Sequence, residues 1–369
     1  GLGDVYKRQV VFRVDASLAI GTGHVMRCLT LAQELAAHGA HCRFICRAHA
    51  GHLIDRIQAQ GFDVAVLPAG VKTESSLEDQ PPHASWLGCG WREDAAQTRA
   101  ILAKRPPDWL IVDHYALDAR WEQAVAGVAN QLWVIDDLAD RAHAACGLVD
   151  TSLHRVAADY APWISRPYTG LFGSDYALLR PEFLAWRERS LKRRAAHWAI
   201  HRIQITMGGV DLPNATGAVL AALCACPLAD DCEIDVVMGA AAPHLSAVRA
   251  QAAALPWHTR VHTNIANMAE LMAMSDVAIG AAGSTSWERC CLGLPSILVI
   301  LAANQVAGGL ALEQAGAARV IAHPDAIAAE LPRLLAEVAA HLPEVSRQAA
   351  QITDGLGAVR VARALGFVA

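Results

Sequence analysis

The stretch Phe12–Leu35, FRVDASLAIGTGHVMRCLTLAQEL, moves in 24 residues from an apolar run through a glycine turn into an amphipathic segment. Val10 to Val14 reads as a short strand, and the apolar spacing from about Gly23 to His38 reads as a helix. Between them Gly21 and Gly23 bracket Thr22, where the lack of a Cβ permits backbone angles and approaches closed to other residues. His24 is therefore expected at a strand-to-helix junction, the place where open α/β sheets gather ligands.

The same grammar extends outward in both directions. HCRFIC (His41–Cys46) is a second strand, a helix around His52–Gln60 leads into DVAVLP, and DWLIVD and QLWVID are apolar runs that each end on Asp. Strands alternating with helices of this length predict a parallel sheet covered on both faces. The pattern then repeats: RIQITMGG, EIDVVMG, TRVHT and the long DVAIGAAGSTSWERCCLGLPSILVI follow in order. The expected fold class is α/β, with two Rossmann-like domains facing a central cleft. The first is placed at 10–180 and the second at 197–350, with 351–369 as a C-terminal helix packing back on the first. The polar, basic stretch Pro181–Ala196 is the expected switch between them. The opening residues GLGDVYKRQ lack periodicity and are read as an extension or a sequence-end artefact.

Composition narrows the class. The chain has 369 residues, 54% hydrophobic and 18% charged, which describes a packed body long enough for two ordinary cores. A formal net charge of −5 argues against an electrostatic nucleic-acid binder, leaving RERSLKRR (Arg187–Arg194) as a local basic patch. Ten cysteines without a C-x-x-C pair, mostly inside apolar runs, point to free thiols and a reducing cytoplasm. No signal-peptide pattern precedes Val10, and the apolar run near Leu294–Ala303 is too short to span a bilayer, so no stable membrane association is expected.

Neither glycine turn completes a dinucleotide fingerprint or a Walker sequence. Each still offers backbone N–H groups at a helix start, suited to a phosphate. His24 has the chemistry of a general base, with Arg27 one turn on along the same face; capping or core packing is the alternative. Asp15, closing the first strand, is a candidate to orient His24 or touch substrate. Asp113, His114 and Tyr115 end a probable central strand, and Asp136 and Asp137 end the next. Asp118 and Glu122 have helix-face spacing. This collection lacks tight metal-ligand spacing, so no metal or cofactor is expected. In the second half, Gly208, Gly209 and Asn214 flank a turn where backbone groups can meet a phosphate or sugar. Ser284 and Thr285 can donate hydroxyls to phosphate oxygens, and Glu288 can accept from a ribose diol, its alternative being a first-turn acid favoured by the helix dipole. Asn304 and Gln305 are expected to end the strand after Pro295, where their amides can contact the other part of the ligand. Trp287 and the Cys290–Cys291 pair read as packing.

Taken together, GTGHVMRC, DHYALDARWE, TMGGVDLPNAT and GAAGSTSWERCCLGLPSILVILAANQ resemble the UDP-sugar hydrolases of pseudaminic acid biosynthesis, over roughly Val10–Ala350. The last motif is shared with GT-B glycosyltransferases of the MurG type. Ala282 departs from the pattern at a place where glycine is frequent. The resemblance implies a GT-B-like enzyme that transfers the sugar of UDP-2,4-diacetamido-2,4,6-trideoxy-β-L-altropyranose to water. The product is a free altrose derivative destined for a nonulosonic acid on flagellin or surface polysaccharide. It puts the catalytic histidine at His24, the ribose-binding glutamate at Glu288, a sugar-side asparagine at Asn304 and an aromatic contact at Tyr115. Substrate binding is further expected from Asp15, Gly23, Arg27, Gly209, Ser284, Thr285 and Gln305, with the uracil near Val261–Met268. Water attack at C1 would invert the anomeric centre, and the resemblance implies a monomer. A glycosyltransferase using a UDP-N-acetylamino sugar donor is the main alternative. A sugar 2-epimerase of the same fold and a nucleotide-sugar sensor complete the set.

Overall fold

A computed structural model describes residues 8–70, 80–196 and 198–368. Residues 1–7 of the opening extension lie outside the described residues. The chain divides into two compact units, with the break after Leu178 and a return to the first unit at Gly357.

In the first unit seven strands form one parallel sheet: β1 (Gln9–Val14), β2 (His41–Arg47), β3 (Asp63–Leu67), β4 (Trp109–Asp113), β5 (Gln131–Ile135), β6 (Gly147–Asp150) and β7 (Thr169–Phe172). Their spatial order is β3-β2-β1-β4-β5-β6-β7, so the sheet reverses direction of winding between β1 and β4. Helices α1 (Gly23–Ala37), α2 (Ile54–Ala59), α3 (Trp91–Lys104) and α4 (Ala119–Ala124) connect the strands. Alternation along β1 decides the two faces. Val10, Phe12 and Val14 pack with Val25, Leu29 and Ala32 of α1, whereas Val11 packs with Ala95 and Leu102 of α3 and Trp121 of α4. Fully burying each such aliphatic side chain stabilises by about 1.5–3 kcal/mol. Because both faces are covered, β1 reads as a nearly continuous apolar run. Its exception, Arg13, is fully buried and reaches Asp94 of α3 at 2.6 Å.

The second unit repeats the architecture with β8 (Arg202–Thr206), β9 (Glu233–Met238), β10 (His258–Thr263), β11 (Val277–Ala281), β12 (Ser296–Val299) and β13 (Ala318–Ile321), ordered β10-β9-β8-β11-β12-β13 and all parallel. Its helices are α5 (Pro181–Ala196), α6 (Ala215–Leu223), α7 (Leu245–Ala253), α8 (Met268–Met274), α9 (Thr285–Cys291), α10 (Val306–Gln314), α11 (Ile327–Ala340) and α12 (Leu342–Ile352). Val219 and Leu223 of α6 and Leu331, Leu334 and Val338 of α11 cover one face, against Ile203, Ile205, Ile279 and Ile297. The last helix, α13 (Gly357–Ala364), belongs to the first unit, where Val361 and Ala362 join the α1 side of the core.

The basic stretch at 181–196 is a helix integral to the second unit. Arg187 donates to the Thr353 and Ala350 carbonyls at 2.9 and 2.7 Å, and buried Arg194 to the Ser275 and Met272 carbonyls at 2.7 and 2.9 Å. Arg193 pairs with Asp276. These three arginines are spent on helix C-terminal carbonyls and a carboxylate, while Lys192 pairs with Glu188 on the surface and exposed Arg189 lies over Trp186. All ten cysteines are free thiols. No helix among the described residues is long and apolar enough to cross a membrane.

Candidate functional site

His24 occupies the first turn of α1, at the β1/β4 reversal of the first sheet. The loop that delivers it is tied to itself. Ser17 and Gly21 form an isolated bridge, the Ser17 hydroxyl accepts from the Ala19 and Ile20 N–H groups, and Gly21 takes a φ of +78° that favours glycine. No side chain caps the first turn of α1, which opens at Gly23.

The register of β1 on β4 places Asp113 opposite Val14, under the start of α1. Asp113 Oδ1 lies 2.6 Å from His24 Nδ1. Arg27 holds the same carboxylate with two donors, Nε to Oδ2 at 2.6 Å and Nη2 to Oδ1 at 2.7 Å, and gives Nη1 to Asp137 at 2.8 Å. Burial alone would raise the Asp113 pKa, but the charges of Arg27 and His24 outweigh it and hold the carboxyl well below the usual range. Ionised Asp113 only accepts, so its 2.6 Å contact puts the ring hydrogen on Nδ1 and leaves the Nε2 lone pair open; Arg27 Nη2, 3.2 Å from the same Nδ1, donates instead to Asp113 Oδ1 at 2.7 Å. His24 is 8% exposed, and its Nε2 has no protein partner among the described residues.

Tyr115 stands edge-on to His24, with ring centres 4.5 Å apart at 84°. Its hydroxyl donates to Asp137, and burial, then the Asp137 charge, push its pKa well up. Arg27, Asp113, Asp137 and Tyr115 thus form one closed frame around the imidazole.

Of the two roles expected of Asp15, orienting His24 is corrected: the residue is 1% exposed and its partners lie elsewhere. Its Oδ1 accepts from Arg13 Nη1 at 2.7 Å and from the Arg47 backbone N–H at 2.6 Å, and Oδ2 lies 3.2 Å from His114 Nε2 and 3.5 Å from His49 Nε2. Arg13 points at Asp94, which also accepts from Arg47 Nη2 at 2.6 Å and Trp121 Nε1 at 2.9 Å. The physical reason is pleat: side chains alternate along β1, and the arginine beside Asp15 needs buried anions. His114 faces the same network, with burial lowering its pKa and its Nδ1 accepting from Ala116 N–H at 3.0 Å. The residue that performs the orienting role, Asp113, is recognisable only once β1 and β4 are known to be neighbours.

In the second unit the two glycine turns differ. At α6 the helix start is satisfied internally: Asp211 accepts from Ala215 and Thr216 N–H at 2.9 Å each, and Asn214 from Gly217 N–H at 3.2 Å. A Cβ on Gly239 would sit 2.1 Å from the Gly209 carbonyl oxygen, so this close approach explains Gly239, whereas a Cβ on Gly209 would meet nothing within 4 Å. Asp211 and Asn214 thus take the first-turn N–H groups of α6, those of Ala215, Thr216 and Gly217. At α9 no side chain caps the first turn, Ser284 is exposed and Thr285 half-buried. Beneath it lies buried Arg289, whose Nη2 donates to the Ala281 carbonyl at 2.6 Å and to Ser286 Oγ at 3.1 Å, with no carboxylate among these partners; burial pushes its pKa down to about 10. An uncapped helix start over a buried cation favours an anion. Glu288, half-buried, faces Arg180 at 3.5 Å, and burial raises its pKa against the pull of Arg180 and Arg289. Gln305 turns its Oε1 onto the Leu301 N–H at 2.9 Å, while neighbouring Asn304 is exposed. No cluster of three or more metal-ligating side chains occurs among the described residues.

Comparison with known proteins follows the same lines. Residues 236–357 match the model of the glycosyltransferase family 28 C-terminal domain. The spore coat polysaccharide biosynthesis protein SpsG of Bacillus subtilis is 34% identical over 148 residues, 40% of this chain and 42% of that protein. UDP-2,4-diacetamido-2,4,6-trideoxy-beta-L-altropyranose hydrolase of Campylobacter jejuni is 22% identical over 206 residues, 56% of this chain and 62% of that one. Each match takes in less than two thirds of the relative's own length. Among solved structures, MurG of Acinetobacter baumannii superimposes with a TM-score of 0.65 at 14% identity, covering 97% of this chain and 99% of that one. Two doubly wound parallel sheets, the match to the family 28 C-terminal model and the likeness to MurG together make the fold GT-B.

Proposed function

We propose that this protein is an enzyme acting on a nucleotide sugar, and that its reaction is hydrolysis of UDP-2,4-diacetamido-2,4,6-trideoxy-β-L-altropyranose to UDP and the free sugar. The observation that carries an enzymatic reading is the 2.6 Å contact of His24 Nδ1 with ionised Asp113, which leaves Nε2 as a proton acceptor in a fixed plane. In this reading Nε2 takes a proton from water as the water oxygen attacks the anomeric carbon. The C1–O bond breaks with inversion, and its electron pair leaves with UDP. Asp113 stabilises the imidazolium that forms, as an orienting carboxylate does in other base-activated nucleophile systems. UDP is a good leaving group. The uncapped α9 turn with Ser284 and Thr285, backed by Arg289, supplies positive potential for its phosphates, and Glu288 supplies acceptors for the ribose hydroxyls.

The hydrolytic step itself is supported by the resemblance of motifs and by the Campylobacter relative. Transfer to an acceptor hydroxyl is the second reading, favoured by the family 28 match and the MurG likeness. The same base would serve either nucleophile. An acceptor-free assay in ¹⁸O-labelled water separates them, run on wild type and His24→Ala. Label at C1 of the free sugar, with turnover lost by at least about a hundredfold in His24→Ala, is the expected result. UDP release only on addition of an acceptor assigns the transferase, and label on UDP phosphate refutes attack at carbon.

A further inference from the structure

Tyr115, the aromatic residue singled out by its motif, has little surface to offer a sugar. It is 5% exposed, its hydroxyl is committed to Asp137, its edge faces His24, and Arg141 lies 5.7 Å from its ring centre. What covers it is a second layer of rings. Trp86 stacks on it at 5.7 Å and 28°, and His83 sits 5.4 Å from it and 4.4 Å from Trp86. Both come from the short 3₁₀ turn region ahead of α3, Ala84–Leu87, in which Trp86 N–H bonds the His83 carbonyl at 2.9 Å and buried Leu87 anchors the turn in the α3-side core. Each of the two rings is half-buried, packed inward on its aromatic neighbours and open outward. Burial, with the charge of Arg141, lowers the His83 pKa against the pull of Asp140, which favours the neutral imidazole.

We infer that Trp86 and His83 form the sugar-facing aromatic wall beside His24, and that they, with Tyr115 behind them as a positioning residue, set specificity for a glycosyl group rich in C–H, methyl and acetamido surface. The inference deepens the nucleotide-sugar reading above and rests on it. A pyranose presents an apolar C–H face, and indole gives the largest rigid surface among the side chains for such contact. A sugar whose reacting carbon lies by His24 must set its ring against the surface that continues from that imidazole, and past Tyr115 that surface is the half-buried pair Trp86 and His83.

The test uses a chain carrying His24→Asn, in which the ligand survives, with Trp86 intact, Trp86→Phe or Trp86→Ala. Isothermal titration calorimetry measures UDP and UDP-2,4-diacetamido-2,4,6-trideoxy-β-L-altropyranose on each. Trp86→Ala is expected to weaken the UDP-sugar about tenfold, the equivalent of ~1.4 kcal/mol, and to leave UDP unchanged. Trp86→Phe, which keeps a ring, should stay within about threefold of the parent. Equal losses for both ligands, no loss for either, or a UDP-sugar that binds no tighter than UDP with Trp86 intact each overturn the wall. Acceptor-free turnover by wild type is the separate readout. A Trp86-dependent gain in binding without turnover leaves the wall standing and refutes hydrolysis. Turnover with Trp86-independent binding does the reverse.

Discussion

Replacing Asp113 with Asn tests the catalytic frame with almost no change of shape. The carboxylate accepts from four donors: His24 Nδ1 at 2.6 Å, Arg27 Nε at 2.6 Å, Arg27 Nη2 at 2.7 Å and, more weakly, the Cys28 thiol at 3.5 Å. An amide has one oxygen to offer, and Arg27, which can only donate, takes it. The amide nitrogen then faces His24 Nδ1 and donates to it, so the ring hydrogen moves to Nε2 and the base is blocked. The same inversion of tautomer in a serine-protease triad costs on the order of 10⁴ in kcat, so about 10³–10⁴ is expected here. Stability should fall less. Breaking a buried pair costs about 3–5 kcal/mol, but Arg27 retains Asp137 at 2.8 Å, which brings the expected loss to about 1–3 kcal/mol. UDP release in the acceptor-free assay gives kcat, and urea unfolding followed by circular dichroism gives stability. A folded Asp113→Asn protein with kcat within about threefold of wild type would refute the tautomer argument, since chemistry would then not depend on an open Nε2.

Two further outcomes follow from the packing. Gly280 in β11 has no room for a side chain: a Cβ would lie 2.1 Å from Arg289 Nη1 and 2.7 Å from the Thr206 carbonyl oxygen. Gly280→Ala should therefore destabilise by about 1–3 kcal/mol through overpacking, and UDP affinity should drop with it as Arg289 is displaced; unchanged stability and affinity would show that Arg289 has an alternative position. The second concerns His143, which is buried with Nδ1 2.7 Å from Glu122 and Nε2 3.8 Å from Asp136. Burial opposes its charge, but the two carboxylates win and raise its pKa to about 9. A folded pKa above the unfolded value contributes stability that is fully present below about pH 6.5 and is lost as pH rises through about 9. At 1.36 kcal/mol per unit the term is at most about 3 kcal/mol, so thermal unfolding of wild type should weaken from pH 6.5 to 9. His143→Gln should lack that slope, and an identical slope in the variant would assign it elsewhere.

The parallel sheets were legible because each strand buried on both faces leaves a continuous apolar run, and each helix leaves a 3.6-residue stripe. Val10–Val14, His41–Cys46 and Asp108–Asp113 carry that signal plainly. The strands Gly147–Asp150, Thr169–Phe172 and Ala318–Ile321 do not, because four residues are too few to show a period. The helix at 181–196 hid behind its charge, since arginines that cap helix C-termini look the same in sequence as arginines in solvent.

For the site, sequence determined that a histidine follows the first glycine turn and that carboxylates end the central strands, because both are local properties of neighbouring residues. It did not determine which carboxylate serves the histidine. Asp15, nine residues away, lies in the Arg13–Arg47–His114 network, while Asp113, 89 residues away, holds Nδ1. Only the pairing of β1 with β4 brings Asp113 beneath α1, and only the pleat of β1 commits Asp15 to the network around Arg13. The aromatic layer of His83 and Trp86 was decided in the same way, by a turn that reaches Tyr115 across residues carrying no motif. Contacts between distant segments depend on strand order and register, and neither is written in the spacing of any one stretch of chain.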